Sequence, residues 1–423
     1  MVCSREGEMC MLETICAPQA FGRKSNDAIY GANNAAKADI AVTGAEKVIN
    51  GTIGTILDEQ EKIVCLPTVE KVFRSLSMAD IVSYAPIAGL PAYLKDAQEA
   101  CFGDYRPEGF TAAVASTGGT GGIHHVIHNY TAPGEEVLTC DWYWGAYKTI
   151  CENDGRRLRT YRLFDEHLHF NKASFEENVR DMAGKQERVA VVINSPAHNP
   201  TGYALTEEDW DFVLSLFTEL AEKGRHIILL CDVAYLDYAG PDARKFFRKL
   251  GNLHENIFVL IGYSMSKGFT MYGMRSGALI ALSCNEKLVR EFREINEFTN
   301  RATWSSNVRG AQETLIRIWE DPGLRKAWEK EKEEYYTLIK ERAEIFVREA
   351  NEVGLPILPY QAGFFISIPA RDSHAVCEKL HEEHLYLVPL AAGVRVAVCG
   401  IPKRKIPGIA ARLKHAMEVT GQL

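Results

Sequence analysis

Short apolar runs alternate with longer amphipathic stretches through the middle of the chain. Five runs are bounded by polar or glycine-rich segments, as buried parallel strands are: EEVLTC, RLRTYRLF, RVAVVIN, RHIILLC and NIFVLIG. A helix is predicted between the third and fourth runs, because Thr206 and Asp209 have the spacing of a capping box and Gly224 supplies a stop. This alternation predicts an α/β fold with a mostly parallel sheet covered by helices.

The pattern changes from about residue 311 onward. A long charged amphipathic segment is predicted to be a helix that ends at Gly354, followed by the strand-like runs AGFFISI and GVRVAVC and a last helix after Pro407. We expect a second, smaller α/β domain built from both chain ends. The predicted divisions are an N-terminal arm at 1–29, the first part of the small domain at 30–63, the large domain at 64–320 and the C-terminal small domain at 321–423.

Polar and aromatic side chains follow the predicted strands at their carboxyl ends, where open α/β sheets bind ligands. Taken alone, each has a structural explanation: a turn, a helix cap, a core aromatic or a surface lysine. One topology would bring them all to the same sheet edge, so we predict a site there. The candidates are Trp142, Trp144, Tyr147, Asn199, Asp232, Tyr235, Ser264, Ser266, Lys267 and Arg275.

A glycine-rich stretch, ASTGGTGGIHHVIHNY at 115–130, adds a candidate phosphate site. Gly118, Gly119 and Thr120 precede a predicted helix, and glycines at a helix N-terminus let backbone N–H groups approach a phosphate. The dinucleotide pattern fails because His124 stands where its third glycine should be, and the P-loop ending is absent. A single phosphate is therefore the better interpretation.

Composition narrows the class of protein. The 423 residues are 46% hydrophobic and 25% charged with a net charge of −8, which is typical of a globular protein and argues against a nucleic-acid surface. The eleven scattered cysteines form no CxxC pair, so we expect reduced thiols, no metal site and a cytoplasmic location. The first residues, MVCSREGEMCMLETIC, do not resemble a secretory signal, and no apolar stretch is long enough to span a membrane.

A phosphate site, a strand-end lysine, an acidic residue and a stackable indole together indicate pyridoxal 5'-phosphate. A lysine amine can form a Schiff base with its aldehyde. A carboxylate is needed at the pyridinium nitrogen so that the ring accepts electrons. Hydroxyls and an arginine suit its phosphate.

The motifs HNPTG, DVAY, SMSKGFTMYGMRSG and GVRVAVCG resemble those of the class I (fold type I) aminotransferases, most closely the aspartate and aromatic aminotransferase group. The resemblance covers nearly the whole chain. It implies a large domain with a seven-stranded, mostly parallel sheet, a smaller α/β domain, and a pyridoxal phosphate enzyme that moves an amino group between an amino acid and a 2-oxo acid by a ping-pong mechanism.

The resemblance also implies roles for individual residues. Lys267 matches the Schiff-base lysine, which also moves the substrate proton, and Asp232 matches the partner of the pyridinium nitrogen. Tyr235 and Asn199 match the pair that hydrogen-bonds the cofactor's phenolic oxygen, and Trp144 matches the ring stacked on the cofactor. Asn199 and Trp144 are also expected beside the substrate.

Further matches concern the phosphate and the substrate. The expected phosphate ligands are Gly118, Gly119, Thr120, Ser264, Ser266 and Arg275. Tyr84 matches a tyrosine that reaches the phosphate of a neighbouring subunit, which implies a homodimer with shared active sites. Arg395 matches the clamp for the substrate α-carboxylate, and Gly54 the glycine beside it. Arg301 matches the arginine that binds a side-chain carboxylate from across the dimer, which favours aspartate and 2-oxoglutarate as substrates.

Three departures from the group keep other substrates open. Tyr147 and Asn194 stand where aspartate enzymes usually carry histidines, although a tyrosine can still donate a hydrogen bond to Asp232. The segment WSSNVRG lacks the usual double proline, so aromatic amino acids are the second choice. β-Elimination or C–S lysis is a weaker alternative, since it would not need both Arg301 and Arg395. A sensor with a DNA-binding domain in front is not expected, because thirty residues cannot supply that domain.

Overall fold

The structure is a computed structural model that describes residues 15–24 and 27–423. The part of the predicted arm at 1–14, with most of the segment interpreted as lacking a secretory signal, lies outside the described residues. Within the described part, no helix is both long and apolar enough to cross a membrane.

The described residues form helices α1 to α14 and strands β1 to β12. The helices are α1 (Ala28–Thr43), α2 (Pro67–Ser75), α3 (Met78–Val82), α4 (Pro91–Phe102), α5 (Gly118–Tyr130), α6 (Ala146–Asn153), α7 (Lys172–Lys185), α8 (Glu207–Glu222), α9 (Met265–Gly268), α10 (Glu286–Thr303), α11 (Arg309–Glu320), α12 (Pro322–Val353), α13 (Ser373–His381) and α14 (Ile409–Val419). The strands are β1 (Ile49–Asn50), β2 (Phe110–Ser116), β3 (Glu136–Cys140), β4 (Arg157–Tyr161), β5 (Arg188–Asn194), β6 (His226–Asp232), β7 (Ile257–Ser264), β8 (Gly277–Ser283), β9 (Phe365–Pro369), β10 (Leu385–Tyr386), β11 (Val388–Leu390) and β12 (Gly393–Ala397).

A seven-stranded sheet forms the centre of the molecule, in the order β2-β8-β7-β6-β5-β3-β4. Only β8 runs antiparallel to its neighbours, and the other adjacent pairs are parallel. The mostly parallel, helix-covered sheet is therefore confirmed. All five predicted apolar runs form strands of this sheet, β3 to β7, so their carboxyl ends meet at one edge.

The predicted helix boundaries rest on capping chemistry that the structure contains. The α8 N-terminus has a full capping box, in which the Thr206 hydroxyl accepts from the Asp209 N–H and the Asp209 carboxylate accepts from the Thr206 N–H. The α12 helix ends before Gly354, which adopts a left-handed conformation with φ +70°. One prediction differs: the glycines of 118–121 form the first turn of α5 and do not precede it.

Two smaller sheets form apart from the large one. One pairs β1 with β10, and the other has the order β11-β12-β9. Because β1 comes from the segment 30–63 and β10 from the C-terminal part, this pairing supports a small domain assembled from both chain ends. The domain boundaries themselves stay predictions, and α1 already begins at Ala28.

The long helix α12 contacts both parts of the molecule. Near its start, Trp328 Nε1 donates to the carbonyl of Gly268 at 2.9 Å, and the Lys332 amine pairs with Asp237 at 2.8 Å. Further along, the buried Arg342 donates to the carbonyl of Cys399 at 2.7 Å. The helix therefore joins the end of β7 to the segment that follows β12.

Candidate active site

A cavity of about 530 Å³ opens at the carboxyl edge of the large sheet. Most of the sequence candidates contribute to its wall: Gly54, Gly119, Thr120, Trp144, Asn194, Asn199, Asp232, Tyr235, Ser264, Ser266, Lys267, Arg275 and Arg395. The ends of β5, β6 and β7 therefore contribute residues to one cavity, and β12 of the smaller sheet adds Arg395.

The Lys267 amine faces the cavity from α9, directly after β7. Its Nζ lies 5.5 Å from the ring centre of Tyr235 and 5.0 Å from that of Tyr272. Among the described residues it has no hydrogen-bond or ion-pair partner. Burial lowers its pKa to about 8, helped by the nearby Arg275 and Arg395 and opposed by Cys399 and Asp232. A neutral, nucleophilic amine is thus accessible close to neutral pH.

The Asp232 carboxylate is buried at the end of β6 and held from two sides. Its Oδ2 accepts a hydrogen bond from the Tyr147 hydroxyl at 2.5 Å, and its Oδ1 accepts from the Ala234 N–H at 3.1 Å. Burial raises the pKa of Asp232, while the Tyr147 hydroxyl and the Ala234 N–H oppose the rise. The hydrogen bond expected from the tyrosine is therefore present.

Asn194 ties the end of β5 to the backbone of Asp232. Its Nδ2 donates to the Asp232 carbonyl at 2.8 Å, and its Oδ1 accepts from the Asn199 N–H at 2.7 Å. An amide can do both at once because it is a donor and an acceptor. Asn194 thereby fixes the Asn199 backbone relative to Asp232.

The N-terminal turn of α5 and the Arg275 guanidinium form a cup at one end of the cavity. Arg275 donates to Ser266 Oγ at 3.2 Å and lies 3.5 Å from Thr120 Oγ1. A Cβ on Gly118 would come within 2.9 Å of the Arg275 Nη2, so glycine is needed for this approach. Helix N–H groups, hydroxyls and a guanidinium together suit a phosphate.

Arg395 lies at the other side of the cavity, fully buried. Its Nη1 donates to Asn199 Oδ1 at 3.1 Å and its Nη2 to the Thr52 carbonyl at 2.6 Å, while the guanidinium lies 4.2 Å over the Phe365 ring. Its Nε is buried and has no hydrogen-bond partner within residues 15–24 and 27–423. Burial lowers the pKa of Arg395 to about 10, so it remains a cation at neutral pH. An unpartnered cationic donor in a cavity wall suits a carboxylate ligand.

One aromatic residue, Trp144, and one glycine, Gly54, shape the space between these groups. Trp144 lies edge-on to Tyr147, with ring centres 5.6 Å apart and an interplanar angle of 84°. A Cβ on Gly54 would meet Phe365 Cζ at 2.7 Å and Tyr235 Oη at 3.6 Å. The missing side chain therefore lets the Phe365 ring pack closely at this position, beside Arg395.

Five candidates do not line the cavity of the single chain: Gly118, Trp142 and Tyr147, which are buried, and Tyr84 and Arg301, which lie at the surface. Tyr84 is 87% exposed. Arg301 is exposed on α10 and donates to Ser305 Oγ. The structure therefore does not bring Tyr84 or Arg301 to the other candidates within one chain.

Sequence reasoning missed several residues that line the cavity, among them Asp27, Tyr30, Tyr272 and Phe365. Tyr272 lies within the motif around Lys267, so the motif could have included it. In the structure its hydroxyl accepts from the Ile56 N–H at 3.0 Å. Asp27 and Tyr30 come from the start of α1, and no pattern in the sequence links that helix to the sheet edge.

The whole chain resembles known aminotransferases. Residues 46–413 match the family model described as aminotransferase class I and II. The structure of an aminotransferase from Anaerococcus prevotii has a TM-score of 0.93 and 38% sequence identity, covering 95% of this chain and 99% of that chain. The mitochondrial aspartate aminotransferase of Schizosaccharomyces pombe is 26% identical over 309 residues, which cover 71% of this chain and 68% of that protein.

A third relative bears on the fold. The aromatic-amino-acid aminotransferase from Burkholderia pseudomallei, solved covalently bound to pyridoxal phosphate, has a TM-score of 0.77 and 23% identity. The match covers 94% of this chain and 98% of that chain. Together, these relatives agree with the seven-stranded α/β architecture described above.

Proposed function

This chain belongs to the aminotransferase class I and II family, and we propose that its cavity binds pyridoxal 5'-phosphate and transfers an amino group between an amino acid and a 2-oxo acid. The observation that carries the proposal is that one cavity holds the half-buried Lys267 amine, which has no hydrogen-bond or ion-pair partner among the described residues, and the buried Asp232 carboxylate. The reaction is ping-pong, because one cavity serves the donor and the acceptor in turn.

The residues present fit that cofactor. When bound, pyridoxal phosphate supplies an aldehyde that condenses with amines and a ring that accepts the electrons of the substrate Cα–H bond. Arg275, Ser266, Thr120 and the first turn of α5 would hold its phosphate. Asp232 would hold the proton of its ring nitrogen, and Trp144 would cover one face of the ring.

Lys267 would act as nucleophile and as general base. Its lowered pKa leaves the amine able to take the proton from the substrate Cα and to deliver it elsewhere on the same face. Tyr235 lies beside this amine and would hydrogen-bond the cofactor's phenolic oxygen together with Asn199.

Tyr147 would keep the Asp232 carboxylate ionised. A buried carboxylate is disfavoured in its charged form, and the 2.5 Å hydrogen bond from Tyr147 favours that form. An ionised Asp232 is what allows the ring nitrogen opposite it to stay protonated.

Arg395 would bind the substrate α-carboxylate. Its two terminal nitrogens are held by Asn199 and Thr52, and its buried Nε has no partner in the part of the chain that the structure describes. Gly54, Asn199 and Trp144 would contact the same substrate. This clamp orients the Cα–H bond toward Lys267.

We infer that aspartate and 2-oxoglutarate are the preferred pair and that the protein is a homodimer. Asn300 Nδ2 donates to the Ile87 carbonyl at 3.0 Å, so the segment after Tyr84 adjoins the α10 helix that carries Arg301. Tyr84 and Phe298 are 87% and 78% exposed on these two segments. A second chain packed there would receive Tyr84 at its phosphate cup and Arg301 at its substrate side chain.

Aromatic amino acids are the second candidate substrates. Ile29, Tyr30, Ile53 and Phe365 line the cavity and give it an apolar wall, which suits an aromatic side chain. β-Elimination would leave the carboxylate clamp of Arg301 without a purpose, so transamination is favoured. The buried free thiols, such as Cys101 and Cys231, are in keeping with the cytoplasmic location that we propose.

A panel of amino donors with 2-oxoglutarate tests the function. The wild-type protein with bound pyridoxal phosphate should be yellow and should transaminate. The Lys267→Ala variant should lose transamination. Lys245→Ala, a lysine exposed at the surface, is the control. Full activity in Lys267→Ala would end the proposal.

The aspartate preference has its own test. Arg301→Ala should reduce kcat/KM for aspartate far more than for phenylalanine, because only aspartate has a side-chain carboxylate. Arg293→Ala is the matched control, since Arg293 lies on the same helix and pairs with Glu297 at the surface. Equal losses for both donors would remove Arg301 from substrate binding while leaving transamination itself intact.

A further inference from the structure

Three potential metal ligands converge outside the cavity, where the second half of α5 meets the end of α6. His124 and His128 lie four residues apart on α5 and therefore share one face of the helix. Asp154 follows the last residue of α6. The phosphate cup uses the glycines at the other end of α5 and none of these three residues.

The spacing of the three ligand atoms suits one cation. Asp154 Oδ2 lies 3.5 Å from His124 Nε2 and 3.5 Å from His128 Nδ1, and the three atoms lie within 4.8 Å of one another. The imidazoles are stacked, with ring centres 5.7 Å apart and an angle of 14°. Zinc bonds of about 2.0–2.1 Å in tetrahedral geometry place ligand atoms roughly 3.3–3.4 Å apart. The carboxylate therefore sits at ligand distance from both rings.

One oxygen of the Asp154 carboxylate lacks the partner that its burial calls for. The side chain is 8% exposed, and its Oδ1 accepts from Asn153 Nδ2 at 3.3 Å. Its Oδ2 is buried and receives no hydrogen bond from the residues that the structure describes. The neighbouring Arg156 does not supply one, because its guanidinium donates to the carbonyls of Asp154, His128 and Thr131 and to the Thr131 hydroxyl. A buried anionic oxygen is costly unless a cation or a donor meets it.

The surroundings of the three residues leave a path from solvent. The His128 side chain is half-exposed, so an ion and a water can enter from solvent. His125, between the two ligands, points elsewhere and stacks on Trp304 with ring centres 4.6 Å apart. The carboxyl end of α6 also carries the negative end of that helix's dipole, which favours a cation.

We propose that His124, His128 and Asp154 bind a divalent cation of the zinc class, with water as the fourth ligand. Histidine nitrogens at i and i+4 with one carboxylate form a donor set that zinc accepts readily. The ion would fasten α5 to α6. These helices carry the phosphate cup and Tyr147 respectively, so the ion would stabilise the arrangement of both without taking part in the proposed reaction.

Metal binding to the cofactor-loaded protein tests the site directly. After dialysis against a chelator, titration with Zn²⁺ followed by calorimetry should give one equivalent per chain and a higher Tm. Co²⁺ should give the visible bands of a four-coordinate ion. His124→Ala and Asp154→Asn should each weaken binding at least tenfold and remove the Co²⁺ bands. His167→Ala, a change at a surface histidine outside the cluster, should bind as wild type does.

His128→Ala gives a second decisive variant, because this half-exposed side chain can be removed with little effect on folding. Its Tm without metal should match wild type, while the increase in Tm on adding Zn²⁺ should vanish. The proposal would be overturned if the wild-type protein bound no equivalent of Zn²⁺, or if His124→Ala and His128→Ala bound Zn²⁺ as tightly as wild type. Neither result bears on transamination, which is measured separately.

Discussion

Tyr147→Phe isolates the contribution of one hydrogen bond to the proposed electron sink. The change deletes the hydroxyl that donates to Asp232 Oδ2 at 2.5 Å and leaves the buried ring in place. A hydrogen bond to a charged group contributes about 1.5–3 kcal/mol. If the transition state depends on the ionised carboxylate, kcat/KM should fall roughly 10- to 150-fold, at about 1.4 kcal/mol for each tenfold change.

The pH profile gives a readout that a purely structural role would not move. Burial already raises the pKa of Asp232, and the Tyr147 hydroxyl holds the rise back. Without that hydroxyl the pKa rises further, so the ionised form is lost at a higher pH. The acid limb of kcat/KM should therefore move upward by about 1–2 pH units, at about 1.4 kcal/mol per unit.

The assay is coupled spectrophotometric transamination of aspartate and 2-oxoglutarate, with cofactor loading checked by absorbance. Tyr161→Phe is the control, because it removes a hydroxyl from another buried tyrosine, whose ring packs between Phe170 and Phe175. A Tyr147→Phe enzyme within twofold of wild type, with an unmoved acid limb, would refute the reasoning. An equal loss in Tyr161→Phe would do the same.

Three other expectations concern the rest of the site and its support. Arg395→Lys keeps the charge but loses the planar fork, so KM should rise roughly 10- to 150-fold for every amino donor in steady-state assays, as expected for losing about 1.5–3 kcal/mol. Gly118→Ala places a Cβ 2.9 Å from Arg275 Nη2 at a φ of +67°, so equilibrium dialysis should give weaker cofactor binding, whereas Gly145→Ala, at a glycine with open space around it, should not. The third expectation concerns Asp237, whose pKa is raised by burial but lowered to about 2 by the neighbouring Lys332 and Arg244. Its contribution to the free energy of unfolding is complete above about pH 4 and falls by roughly 2–3 kcal/mol as the pH drops toward 2. Urea titrations across that range should show the loss, and Asp237→Asn should remove this pH dependence.

The large sheet was predictable because its strands are strongly apolar and its helices carry their own boundary signals. Runs such as RVAVVIN leave little choice but a buried strand, and Thr206 with Asp209 marks a helix start by local chemistry. The flanking strands β2 and β8 were not singled out. FTAAVAS and GALIALS are rich in small residues, so their apolar signal is weaker than that of the central strands.

The site residues also fall into those that local sequence patterns predict and those that only long-range packing places. Lys267 and Asp232 could be placed together because parallel strands end at one edge, whichever loops join them. Asp27 and Phe365 reach the cavity only through packing between distant parts of the chain, which no local pattern encodes. Tyr84 and Arg301 face outward in the single chain, so any part they take in the site depends on a second copy.

The length of helix α12 sets the separation of the Lys267 amine and the Arg395 guanidinium, the two groups proposed to act on the substrate. Its 32 residues correspond to about 48 Å, and the ten residues from Lys332 to Arg342 to about 15 Å. Lys332 and Trp328 attach at Asp237 and Gly268, next to Lys267, whereas Arg342 attaches at Cys399, four residues beyond Arg395.

An insertion of one residue between the two attachment points would rotate the later half by about 100° and advance it by about 1.5 Å. One attachment would then be lost, and the distance between amine and guanidinium would no longer be fixed. The number of residues between Lys332 and Arg342 is therefore itself a requirement of the proposed site, whatever the identity of the exposed residues between them.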